Sequence, residues 1–366
     1  MSTPRIAAFG EIMVRLCPAG KLRFGQVLPG SLEATFGGGE ANVCVSLATL
    51  GMESRFLTAL PGNPIARACL AQLRGLGVDV SRVRLADSGR MGVYYAEHGA
   101  AVRGSNVIYD RDHSAIADLP AASYDPAAML EGCTHLHLTG ITPSLSRDAF
   151  EATLRLARFA DGAGLSISVD LNYRKKLWNW EPGTSKKELA GRCMKEIVSL
   201  ATIVVGNEED ASDVFGISAR GSSVEGGKLD LEGYAEVAAT LSGMFPKARF
   251  VAITLRESLS ADHNNWGAML FDCAAREAHF APLDADGRYA PYEIRDIVDR
   301  FGGGDSFCAG LIYALNTPDR SNPADAVRFA VAASALKHTI PGDYNLSTLP
   351  EVLALMGGNT SGRVRR

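Results

Sequence analysis

Several absences narrow the possibilities before any motif is considered. No apolar run is long enough to span a bilayer. The opening Met1-Ser2-Thr3-Pro4-Arg5 lacks the apolar stretch and cleavage pattern of a signal peptide and runs straight into a strand-like segment. Neither sign of charge dominates: 37 Lys and Arg against 41 Asp and Glu leave a formal −4, which gives no global field for nucleic acid or an anionic membrane. An anionic ligand must therefore be held by a few placed arginines. The seven cysteines are scattered, with no CxxC pair and no Cys/His cluster, so neither a zinc site nor a disulfide framework is indicated. A reducing, cytoplasmic setting is the expectation. No internal repeat is present.

What the chain does have is the makings of a large core. Its 366 residues are 46% hydrophobic and 21% charged, enough for two domains or one large α/β domain. Strand-length apolar runs occur at 6–9, 55–59, 134–139, 165–171, 202–205 and 250–255. Helical patterns at 40–50, 63–76, 148–159 and 187–200 lie between them; in the first, Val43, Leu47 and Leu50 share one face. Alternating strands and helices imply right-handed crossovers and a mainly parallel sheet covered on both faces, with ligands gathering beyond the strands' carboxyl ends. Two stretches, about 12–36 and 92–112, break the rhythm. The first is too rich in Gly and Pro for a helix; the second contains β segments at 93–97 and 102–109 joined at His98-Gly99-Ala100. Together they predict a small antiparallel sheet standing off the main domain as a lid. Residues 218–228 read as a surface loop, and 351–366 as a carboxyl-terminal tail, partly disordered, frayed from 357 onward.

The strongest local signal is Asp299-Arg300-Phe301-Gly302-Gly303-Gly304-Asp305, between a β-like 294–298 and a helix. Successive glycines turn tightly and aim free N–H groups outward, and the helix dipole adds to the resulting anion hole. A carboxylate beside a phosphate hole is repulsive unless it has work to do, and taking a proton from an attacking hydroxyl is such work. The competing explanation is a turn with Asp305 as a cap. A second motif, Phe36-Gly37-Gly38-Gly39-Glu40-Ala41-Asn42, has neither dinucleotide-fingerprint nor P-loop spacing. It offers bare backbone to a polyhydroxylated ligand, with Asn42 as donor and acceptor, or it is simply a strand-to-helix turn.

These two motifs, at opposite ends of the chain, resemble those of the ribokinase-like, or PfkB, family of carbohydrate kinases. The family's Asp-Thr-x-Gly-Ala-Gly-Asp is matched by Asp299 to Asp305, with Arg300 and Gly303 as departures. Its Gly-Gly-x-x-x-Asn, before a helix ending Leu-Gly, is matched by Gly37, Gly38, Asn42, Leu50 and Gly51. The resemblance covers about 6–350 and implies a single kinase domain over 1–350. The implied fold is a three-layer α/β domain with a mainly parallel central sheet and a small β lid. It implies ATP and Mg2+ as cofactors, Asp305 as base, and Gly302, Gly303 and Gly304 around the transferred phosphoryl group. The family's Asn-x-x-Glu falls at Asn207-Glu208-Glu209-Asp210, where Asp shortens the reach and leaves Glu209 or Glu208 as an indirect metal partner; without the family, this quartet reads as a helix cap. Where the family carries Thr-Leu-Gly on the ATP side, this chain has Thr254-Leu255-Arg256; Thr254, Arg256 and Gly267 are carried over as nucleotide contacts. The family also brings a monovalent cation near the Asp299 loop into consideration, and the lid is a candidate surface for a homo-oligomer.

Within the family the chain most resembles the 2-keto-3-deoxygluconate kinases, through Gly92-Val93-Tyr94, Tyr109-Asp110-Arg111 and Asp170-Leu171-Asn172-Tyr173-Arg174. Arginine grips a carboxylate bidentately and tyrosine hydroxyls suit keto or hydroxyl oxygens. Gly38, Asn42, Tyr94, Tyr109, Arg111 and Arg174 are thus the expected sugar contacts. Alternatively, either arginine pairs with Asp110, Asp112 or Asp170. The implied reaction is transfer of the ATP γ-phosphoryl group to a terminal 6-hydroxyl. A kinase for a neutral sugar or nucleoside needs no arginine pair. A non-catalytic sensor would be expected to lose Asp305 or the glycines, and both are intact.

Overall fold

The structure, a computed structural model, describes residues 4–218 and 230–359. The loop expected at 218–228 lies outside them after its first residue. Strand β1 (Arg5–Phe9) enters the core, then the chain leaves it for β2 (Met13–Cys17), a single turn α1 (Phe24–Val27) and β3 (Glu33–Gly37). It returns through α2 (Gly39–Thr49) to β4 (Glu53–Leu57). Strands β5 (Ala59–Pro61) and β6 (Arg84–Ala86), with α3 (Pro64–Gly75) between them, form a side unit; β7 (Val93–Glu97) and β8 (Asn106–Asp110) make a second excursion. Short turns α4 (Ala115–Asp118) and α5 (Pro126–Met129) follow. Regular alternation then runs through β9 (His135–Thr139), α6 (Arg147–Gly162), β10 (Ser166–Asp170), α7 (Lys186–Val198), β11 (Ile203–Gly206), α8 (Glu208–Phe215) and α9 (Leu231–Met244). The last third holds β12 (Phe250–Ser260), β13 (His263–Asp272), β14 (Glu277–Ala281), β15 (Tyr292–Ile294), α10 (Gly303–Leu315), α11 (Pro323–Lys337) and α12 (Leu349–Met356).

The central sheet runs β14-β13-β12-β11-β10-β9-β1-β4, with β15 paired to β13. From β4 to β12 every pairing is parallel; β13, β14 and β15 join antiparallel. Successive side chains of a strand point to opposite faces, so Val204 packs into one core while Ile203 and Val205 pack into the other. Helix α6 has a local reason for its bounds. Ser146 Oγ accepts from Ala149 N (3.0 Å) at its start, and Ala149, Ala152, Leu156 and Ala160 are buried at helical spacing.

The lid exists but differs from expectation. Its four strands run β3-β2-β7-β8, and the central β2–β7 pair is parallel, so the sheet is mixed rather than antiparallel. A parallel join follows because both excursions leave the core in the same direction. The strand expected from 102 begins only at Asn106, since Ala100 and Arg103 exchange backbone hydrogen bonds (2.9 and 2.8 Å) in a tight turn. The segment expected as strand at 294–298 is extended only to Ile294. The expected tail is also shorter: α12 runs to Met356 and buries Val352 against α11, giving that segment an apolar reason to order.

Candidate active site

Helices α2 and α10 present their N-termini to the same cleft. Gly302 caps α10 with φ +77°, and a Cβ there would overlap the Asp343 carbonyl, so both conformation and space call for glycine. Gly303 is tighter than the motif needs: its missing Cβ would stand 3.2 Å from the His338 ring, which fills the room an alanine would take. Gly304 is exposed, with no atom of the described residues within 4 Å of its missing Cβ, which leaves open space beside the first-turn amides. Those amides have no carbonyl partner within the helix.

Asp305 stands in that first turn. Asn42 Nδ2 donates to its Oδ2 over 2.6 Å, while Asn42 Oδ1 accepts from Gly38 N at 3.3 Å. The asparagine expected to face the sugar therefore orients the carboxylate, and it is buried. Burial pushes Asp305 up to about 6; the Asn42 hydrogen bond works the other way, Asp343 adds to the rise, and Arg174 and Lys337 oppose it. Three further acids crowd the floor. Glu40, pushed up to about 7 by burial, accepts from Thr139 Oγ1 (2.7 Å) and Thr142 Oγ1 (3.0 Å). Asp170, buried, is held well above the carboxylate range by burial and then by Asp210 and Asp305. Asp210 is raised by burial too.

On the sugar side the expected residues converge unequally. Arg174 follows β10, is exposed, and has no hydrogen bond or ion pair through its guanidinium among the described residues, yet its charge is felt at Asp305, Asp170 and Asp210. Arg111 is buried in an ion pair with Glu11, an acid the sequence reading did not single out, and not with Asp110, Asp112 or Asp170. Asp110 is taken by Arg90 instead. Glu11 Oε1 and Arg111 Nε are buried with no hydrogen-bond partner among the described residues. Tyr109 lies under the Arg111 guanidinium (5.4 Å to the ring centroid) and is partly exposed. Tyr94, by contrast, is buried and its hydroxyl donates to Asp343 Oδ2 at 2.7 Å, so it serves the framework in this state. Gly38 lies against the Glu11 carbonyl, where any side chain would collide.

On the opposite side, Asn207 and Asp210 form a reciprocal cap on α8: Asp210 N donates to Asn207 Oδ1 (2.8 Å) and Asn207 N to Asp210 Oδ2 (3.1 Å). Asp210 Oδ1 also accepts from Tyr173 N at 2.9 Å, so that carboxylate is committed. Glu209 is exposed, its carboxylate makes no hydrogen bond or ion pair among the described residues, and its charge is felt at Asp210. Thr254 and Arg256 do not sit in a loop, because β12 continues to Ser260 and pairs Arg256 with Trp266 on β13. Arg256 is exposed, and its charge reaches Arg300 and His338. Gly267 is buried in β13 and gives its space to the Tyr289 hydroxyl and the Ala281 carbonyl, a packing reason for the residue. No group of three or more His, Cys, Asp or Glu among the described residues is arranged to hold a metal by itself.

A three-layer α/β domain with a carboxylate and glycine amides at one helix N-terminus, under a β lid, defines a phosphotransferase that activates an alcohol. The chain belongs to the pfkB family of carbohydrate kinases, whose model matches residues 3–255 and 265–350. It is 30% identical to the 2-dehydro-3-deoxygalactonokinase of Haloferax volcanii over 98% of this chain and 99% of the relative. It is 28% identical to the 2-dehydro-3-deoxygluconokinase of Bacillus subtilis, over 87% of this chain and 85% of that one. The solved 2-dehydro-3-deoxygluconokinase of Thermotoga maritima superimposes with a TM-score of 0.86 at 36% identity, covering 98% of this chain and 99% of its own.

Proposed function

We propose that this sugar kinase phosphorylates 2-keto-3-deoxygluconate (2-dehydro-3-deoxygluconate) or its galactonate epimer at the 6-hydroxyl, with ATP as donor. The observation that carries the acid-sugar assignment is Arg174, an exposed guanidinium without a hydrogen-bond or ion-pair partner among the described residues, whose field reaches the Asp305 carboxylate. A bidentate grip on the substrate carboxylate is the use such a group is fitted for. Asn42 occupies Oδ2 of Asp305, so the proton of the attacking hydroxyl goes to Oδ1. A carboxylate near pH 6 is mostly ionised at neutral pH yet basic enough to accept that proton.

The first-turn amides of α10 fit a phosphoryl group, and exposed Arg256 fits the nucleotide's remaining phosphates. Magnesium would neutralise charge on the phosphoryl oxygens; it would be held mainly by the nucleotide, with Glu209 reaching it through water. Asn207 and Asp210 support this side by shaping the α8 terminus, and Thr254 lines it from β12. For a monovalent cation near the Asp299 loop, the relevant neighbour is Lys337, whose Nζ already donates to the Ile340 carbonyl at 2.9 Å. Turnover in sodium, potassium and choline buffers tests whether a second cation contributes. The exposed lid residues Val102 and Ile108 support the homo-oligomer, and light scattering tests it. A coupled assay with ATP across acidic and neutral sugars tests the assignment itself. Faster turnover of fructose or ribose than of either keto-deoxy acid would overturn it.

A further inference from the structure

Behind the glycine turn lies a buried charge cluster that the proposed reaction does not use. Arg15, on lid strand β2, is almost fully enclosed. Its guanidinium meets Asp299 Oδ2 at 2.8 Å and Asp343 Oδ1 at 2.7 Å, and stacks over the Phe301 ring at 4.6 Å. Both carboxylates then brace the turn. Asp299 accepts from Phe301 N (3.0 Å) through one oxygen and from Gly342 N (2.9 Å) through the other. The Asp343 carbonyl fills the space that a side chain on Gly302 would need, and its Oδ2 takes the Tyr94 hydroxyl. His98, pushed down by burial, is neutral and accepts from Arg15 at 2.9 Å. Lys337, fully buried, adds the second cation beside the same two acids.

We infer that Arg15 is a positioning residue for phosphoryl transfer: it fixes the Gly302–Gly304 turn from the lid by clamping Asp299 and Asp343. A guanidinium can do this because its planar fork presents separate donors to two carboxylates at once, which an ammonium cannot match. The clamp also screens Asp305. Asp343 already raises that carboxyl, and without Arg15 its charge would be answered by Lys337 alone. The other groups acting on Asp305 are Asn42 and Glu40 from α2, Asp170 from β10, Arg174 beyond it, and Cys308 on its own helix.

The inference rests on the kinase assignment but not on the choice of sugar. The test therefore uses whichever sugar the unmodified chain phosphorylates fastest. Arg15→Met is expected to lower kcat on the order of 10²-fold, as small misplacements of a reacting group do, while KM for the sugar changes little. The acid limb of kcat/KM should move to higher pH, and Arg15→Lys should restore part of both. If Arg15→Met does not fold, Arg15→Lys carries the same readouts, with a smaller loss of kcat and a smaller upward shift. Either variant with undiminished kcat and an unmoved limb overturns the inference. So does a loss confined to KM for an acidic sugar, which would make Arg15 a substrate ligand.

Discussion

Asn42 Nδ2 donates to Oδ2 of Asp305 across 2.6 Å, joining the two glycine motifs through a single hydrogen bond between residues 263 positions apart. The amino-terminal motif thus orients the carboxylate belonging to the carboxyl-terminal one. Asp305→Asn should remove about 10²–10⁴ of kcat, the usual range for losing a general base, while KM for the sugar stays close to normal. Steady-state kinetics of the purified variant provide the check, and near-normal turnover would eliminate Asp305 as base.

The pH profile should carry the same signature. Burial raises Asp305 to about 6, above the ordinary carboxylate range, so the ionised form that the proposed base requires is lost as pH falls through about 6. The acid limb of kcat/KM, which reports the free enzyme, is expected there. The Asn42 hydrogen bond favours the ionised form, so Asn42→Ala should move that limb to higher pH. A limb that stays put in Asn42→Ala would separate the two residues functionally.

Arg174→Met should raise KM for the keto-deoxy acid by roughly ten- to a hundredfold, the effect of losing a charge-assisted hydrogen bond to substrate. Activity on a neutral sugar should hardly change, because no carboxylate is there to lose its partner. Arg174→Lys should recover only part of the affinity. Equal losses on acidic and neutral sugars would remove Arg174 from substrate recognition.

Arg111→Met should behave differently. It leaves Glu11 buried without its counter-charge, which typically costs about 3–5 kcal/mol. Denaturant unfolding should register that loss, and activity should fall on every sugar. Adding Glu11→Gln should return much of the stability. If the double variant is no more stable than Arg111→Met alone, the buried pair is not what Arg111 contributes.

The lid should respond to ligands unevenly. Strands β2 and β7 hold Arg15 and Tyr94 against Asp299 and Asp343, whereas β8 is an edge strand exposing Ile108 and Tyr109. Saturating sugar and nucleotide should therefore slow amide exchange chiefly over Asn106–Asp110, and less over Val93–Glu97. Equal protection of both strands would mean that the lid moves as one piece.

Much of the framework was legible because it is written in local pattern. Apolar runs and helical spacing located β1, β9, β10, β11 and the start of β12 within a residue or two, and the glycines before Asp305 announced the turn that opens α10. What local pattern could not carry was partnership between distant segments. Nothing around Arg111 points to Glu11 rather than to its neighbours Asp110 and Asp112, and only the folded chain brings the pair together. The parallel β2–β7 join is invisible for the same reason, since strand pairing across so long a gap leaves no periodic trace. Tyr94 is expected from the sequence to contact the sugar, but its burial, and hence its tie to Asp343, depends on the lid's register. Glu40 stood inside a quoted motif and passed unnoticed, because an acid at a helix start is ordinarily just favourable to the dipole.

The Arg15–Asp343 ion pair links positions 328 residues apart. Contacts of such separation carry the largest loop-closure cost and form late in folding. On a ribosome, which releases the amino-terminal part first, strand β2 emerges with its guanidinium long before either acid partner exists. Competence for phosphoryl transfer is thus among the last properties the nascent chain acquires. A polypeptide ending before residue 343 would retain most of the sheet yet carry an enclosed arginine short of a partner and a glycine turn without its brace.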